Sequence, residues 1–173
     1  MKLQLPAHIN PKAKTSVYID AANMFYTHKT LRYKVDFQKL YMYLGTFFSV
    51  REIKYYTGYN PRLGRQLKFL AKLESLGYKI IRKPVKRISV GKKTIEKANV
   101  DVELAVDAIR EKALYENMIL LSGDSDFSYL VKVLQEEGKK VVVFSSRGHI
   151  SKELADLSDY LVNFERLENE LAL

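Results

Sequence analysis

Five times along the chain a short run that reads as a buried strand gives way to a segment with helical spacing. The runs TSVYID, VREIKYYTGY, YKIIRK, NMILLS and KKVVVFSS read as strands. DYLVNFERL reads as a last edge strand and tail. Residues 36–48 space Phe37, Leu40, Tyr41 and Leu44 as one helical stripe. Residues 60–77 place Asn60 as a cap, Pro61 at the first helical position, Leu63, Leu67, Leu70 and Leu73 along one face, and Gly77 as the stop. Helices are also expected over 99–116, over 127–138 with Gly138 closing it, and over ISKELADLS. Such alternation points to an α/β fold: a three-layer, open, mostly parallel sheet with helices on both faces, Rossmann-like in plan. The alternation breaks at residues 82–97, where Val85–Val90 and Thr94–Glu96 form a hairpin turning at Gly91.

The 173 residues suffice for one domain with a real core. There is no cysteine, which excludes disulfides, thiolate metal sites and thiol nucleophiles, and suits a reducing interior. The N-terminal residues lack an apolar stretch of signal-peptide length, and no run approaches a membrane span. The expectation is a cytoplasmic protein with no membrane partner. Lys and Arg number 29 against 20 Asp and Glu, a net charge of +9, so nucleic acid is the first partner to consider.

In a right-handed β-α-β sheet all strands end on one edge, and ligands bind there at the point where strand order reverses. With strand order 3-2-1-4-5, the first and fourth strands are neighbours at that point. Asp20 ends the first strand, Asp124 and Asp126 follow the fourth, and Asp101 lies in the first turn of the helix after the third. Four carboxylates from three segments should therefore converge. Two like charges about 4 Å apart repel by roughly 4 kcal/mol at an effective dielectric near 20. Raised pKa values, salt bridges or a divalent cation would each relieve this. An all-oxygen donor set without cysteine or a histidine cluster suits Mg²⁺ or Mn²⁺, which commonly share their shell with substrate phosphates.

Each acid has a plainer reading. Asp126 suits a helix cap before FSYLVKVL, and Asp101 suits the helix dipole. Asp107 projects to another face, as a surface or supporting residue. Asp20 is harder to dismiss, because no helix is expected to start directly at it. Asn23 is either a turn residue or an orienter of Asp20 and of water on a metal. The hairpin carries seven Lys/Arg and one Glu; Arg82, Lys83, Lys86, Arg87, Lys92 and Lys93 would grip phosphates while Lys97 reaches inward.

VYIDAANMF, KANVDVELAVDA and LLSGDSDFSYLVKVLQEEGKKVVVF, in that order, resemble the three motifs of the NYN domain family, the LabA-like branch of the PIN-like ribonuclease superfamily. The resemblance covers roughly residues 16–165, leaving 1–15 and 166–173 as tails. It implies a PIN-like fold and metal-dependent, endonucleolytic hydrolysis of RNA, single-stranded or structured. Asp20, Asp101, Asp124 and Asp126 would hold Mg²⁺ or Mn²⁺, Asn23 and Ser122 would support them, and Lys97 would contact the scissile phosphate. Ala98 stands where a glycine often follows the lysine, which is tolerable if its backbone angles are ordinary.

Other enzyme classes fit poorly. Neither phosphate-binding glycine motif is present. An aspartyl phosphatase would want an acid at position 22, which is alanine. The serious alternative is a catalytically weak or inactive RNA-binding adaptor that retains the metal site. A stripe of Leu161, Phe164, Leu167 and Leu171 would dock on its own domain or on a second copy as a homodimer.

Overall fold

A computed structural model of the chain describes residues 3–90 and 93–173, with the backbone alone for 87–90 and 93–97. Its strands are β1 (Lys14–Asp20), β2 (Ser49–Tyr59), β3 (Tyr78–Pro84), β4 (Lys86–Val90), β5 (Lys93–Lys97), β6 (Asn117–Leu121), β7 (Lys140–Ser145) and β8 (Tyr160–Asn163). Its α-helices are α1 (Ala21–Thr30), α2 (Phe37–Phe47), α3 (Gly64–Ser75), α4 (Asp101–Arg110), α5 (Ser128–Glu136), α6 (Lys152–Leu157) and α7 (Glu168–Leu171). Six strands form one sheet in the order β3-β2-β1-β6-β7-β8, every pair parallel. β4 and β5 form a separate antiparallel hairpin.

The central strands are apolar on both faces because helices cover both. Val17, Ile19, Ile119, Leu121, Val142 and Phe144 point to one side, where α1, α2, α3 and α7 pack. Tyr18, Met118, Leu120, Val141 and Val143 point to the other, under α4, α5 and α6. The chain changes sides between β3 and α4. That places the reversal of strand order between β1 and β6, whose ends carry the acids.

Several details differ from expectation. α1 begins at Ala21, directly after Asp20, so a helix does start there. α3 begins at Gly64, not Pro61. Asn60 instead closes a turn before it, its side chain accepting from Arg62 N at 3.0 Å. In α2 Tyr43 is buried and Tyr41 is not. Gly77 and Gly138 end α3 and α5 at φ +98° and +75°, the left-handed conformation that terminates helices. Ala98 has an ordinary backbone, since no described non-glycine residue has positive φ.

The flanking segments belong to the core. Ile9, Leu167 and Leu171 are buried with the α1–α3 layer, and Asp36 N donates to Leu171 O at 2.8 Å. Phe164 is buried there too, while Leu161 packs partly buried on the opposite face, so the residues of the C-terminal stripe all dock on their own domain but not on one side of it. Among the described residues no helix is long and apolar enough to cross a membrane.

Candidate metal centre

Asp20 ends β1 and caps α1: its Oδ1 accepts from Ala22 N at 2.9 Å and Asn23 N at 3.2 Å. Its Oδ2 accepts from Ser122 Oγ at 3.1 Å, and Ser122 Oγ in turn accepts from Asp124 N at 3.3 Å. Ser122, at the end of β6, thus links two acids from neighbouring strands. Asp20 is only 3 % exposed. Burial pushes its carboxyl above the usual range; the bonds from Asn23, Ser122 and Ala22 oppose that rise, and Asp124 adds to it.

The capping acid of the GDSDF segment is Asp124, not Asp126. Its side chain accepts from Asp126 N at 3.0 Å, across a short 3-10 turn (Ser125–Phe127) that precedes α5. Asp126 makes no capping bond; it is exposed and faces Asp101 and Asp124. Gly123 is required by a close approach: a Cβ there would overlap the carbonyl of His149 in the loop after β7.

Asp101 opens α4, held by its N–H to Asn99 Oδ1 at 2.8 Å. Sequence reasoning missed Asn99; an asparagine two residues before a helix is its only local signal. One carboxylate oxygen from each of Asp101, Asp124 and Asp126 lies within 4.8 Å of the others, so these three can share one cation. Asp20 is not one of that group. The Asp101 carboxyl is raised by burial first, then by Asp20, Asp124 and Asp126, with Asn99 opposing. Among the described residues no basic side chain pairs with any of the four acids. Crowded, uncompensated oxygen donors fit a hard divalent cation.

Asn23 lies in the first turn of α1, half-buried, and its side-chain amide is unbonded among the described residues. Asp107 is away from this group. It accepts from Tyr56 OH at 2.9 Å and lies 4.0 Å from Lys54 Nζ. Lys54, on β2, is 1 % exposed and also pairs with Glu111, which accepts from Tyr18 OH at 3.1 Å. This polar cluster under α4 was not anticipated; its only local trace is a lysine set between Ile53 and Tyr55 in the buried half of β2.

Two of the expected phosphate-gripping residues have acidic partners. Arg82 donates to Glu74 at 2.6 Å; Lys83 donates to Glu103 at 2.6 Å and to Asn99 O at 2.9 Å. Lys86 is exposed. The side chains of Arg87, Lys93 and Lys97, the whole of Lys92, and the Gly91 turn lie outside the described residues.

The sequence model of the NYN domain family matches residues 14–165. The Low amplitude and bright protein LabA of Synechococcus elongatus is 26 % identical over 162 residues, spanning 91 % of this chain and 87 % of that protein. The crystal structure of a protein of unknown function from Vibrio parahaemolyticus superposes with a TM-score of 0.79 at 26 % identity, covering 95 % of this chain and 99 % of that one.

Proposed function

The chain belongs to the NYN domain family, and from that premise we propose that it is a metal-dependent ribonuclease that hydrolyses RNA phosphodiester bonds. The observation that carries the proposal is the group of Asp101, Asp124 and Asp126, with mutually close oxygens and no basic partner among the described residues. These three would hold Mg²⁺ or Mn²⁺. When bound, such a cation supplies charge neutralisation at a phosphodiester and activation of water.

The chain's own residues do the positioning. Asp20 spends both oxygens on Ala22, Asn23 and Ser122, and so fixes the ends of β1 and β6 against each other. Asp124 orders the turn that presents Asp126. Asn99, itself bonded to Lys83, sets the start of α4 and hence Asp101. The amide of Asn23, unbonded among the described residues, is available to a substrate or to water beside Asp20. Net charge +9 supports a polyanionic substrate, and family membership supports RNA. From the sequence we assign phosphate contacts to Lys86, Arg87, Lys92, Lys93 and Lys97, basic residues that precede Asp101 in the chain. Arg82 and Lys83 serve first to anchor the hairpin's base to α3 and α4.

Incubation with single-stranded and structured RNA, with and without Mn²⁺, tests the reading. Cation-dependent cleavage is expected. Tight RNA binding without turnover would mark the domain as a binding adaptor instead.

A further inference from the structure

We propose that α1 carries a stacking subsite for an unpaired nucleobase of single-stranded RNA, formed by Phe25, Tyr26 and Lys29. This rests on the ribonuclease reading and adds to it a preference for single strands. Phe25 and Tyr26 are adjacent, 59 % and 53 % exposed, with ring centroids 5.7 Å apart in an edge-on arrangement. The core-facing residues of α1 are Met24 and Thr27, so packing does not explain the aromatic pair. Lys29 Nζ lies 4.4 Å from the Phe25 ring centre and 5.1 Å from that of Tyr26. Lone exposed aromatics are common and need no explanation. Two together, with a cation drawn over them, form a surface that offers a base a π-face and a phosphate a charge.

Their place relative to the acids gives the surface its role. Asp20 caps this same helix, and Phe25 is five residues on, about 7.5 Å along the axis. On one flank a groove of about 340 Å³ runs past Ala21, Ala22 and Phe25 to Ala98, bordering the residues next to Asp20 and shortly before Asp101. Through Phe25, Tyr55 and Phe69 it adjoins an apolar cavity of about 380 Å³, a volume within the range of small-molecule sites. On the other flank the Tyr26 ring is 6.2 Å from that of His149, whose carbonyl lies against Gly123, the neighbour of Asp124. A strand with one phosphate at the acids would bring a neighbouring base onto this pair. In a duplex the base faces are already stacked and unavailable to it.

The test uses a single-stranded oligoribonucleotide containing 2-aminopurine and an RNA duplex of equal length, both bound in EDTA. Phe25→Leu and Tyr26→Leu keep apolar bulk but remove the π-face, and melting curves check that they fold. Wild type should quench 2-aminopurine on binding. Each variant should weaken single-strand binding by about tenfold, lose the quench and leave duplex binding unchanged. Lys29→Gln should flatten the salt slope of log affinity by about 0.7. A wild type that cleaves RNA with Mn²⁺ but shows no quench, or leucine variants that match it, overturns the subsite alone. A wild type that neither binds nor cleaves RNA overturns the ribonuclease reading and the subsite with it.

Discussion

Ser122 Oγ donates to Asp20 Oδ2 at 3.1 Å and thereby joins the end of β6 to the end of β1 at the place where the sheet reverses its strand order. Ser122 is 1 % exposed and Asp20 3 % exposed, so neither group has ready recourse to water. Ser122→Ala should cost about 1–3 kcal/mol in denaturant unfolding, because a buried carboxylate oxygen loses its donor. The Asp20 carboxyl should rise further, since the Ser122 bond is one of the interactions lowering it. An unchanged unfolding midpoint would remove Ser122 from the site.

Asp101 and Asp20 both have carboxyls raised in the fold, each chiefly by burial. A group whose folded pKa exceeds its unfolded value favours the folded state most below the unfolded value, here 3.8. That contribution is lost as pH rises through the folded pKa. Without metal, Asp101→Asn should therefore gain on wild type in melting temperature as pH rises above about 3.8. The gap should narrow when Mn²⁺ is added, because only wild type has the full set of ligands. A pH-independent gap would mean that the Asp101 carboxyl is not raised in the fold.

Lys54 is buried under α4 among Glu111, Asp107 and Tyr18. Burial alone would raise the Glu111 carboxyl, yet the lysine outweighs it and the net shift is downward. Lys54→Met leaves these acids without their cation and should destabilise by about 3–5 kcal/mol. Adding Glu111→Leu and Asp107→Asn should recover much of the loss. Chemical denaturation of the single and triple variants checks this; a single variant within about 0.5 kcal/mol of wild type would make the cluster incidental.

The adjacency of β1 and β6 was legible in the chain because alternation and handedness leave few sheet orders, and three of the four acids do share a place. That Asp20 also caps a helix was not. AANMFYTHKT lacks a clear apolar stripe, with only Met24 and Thr27 buried, so the helix that Asp20 caps was invisible to periodicity. The capping role expected of Asp126 falls to Asp124 because a 3-10 turn intervenes before α5, which residue spacing does not announce. Lys54 was equally opaque: besides Glu52 on its own strand, its acidic partners Asp107 and Glu111 lie in α4 and just after it, more than 50 positions away, and only the fold brings them together.

The most direct measurement is the initial rate of cleavage of a labelled single-stranded RNA against Mn²⁺ concentration, for wild type and Asp124→Asn. The asparagine keeps an oxygen to accept from Asp126 N, so the turn should survive and the metal-free melting temperature should not fall. Wild type should show saturable dependence on Mn²⁺, and Asp124→Asn should lose at least about 100-fold in rate. A folded Asp124→Asn protein that cleaves at the wild-type rate, or wild-type cleavage indifferent to chelation, would contradict the account.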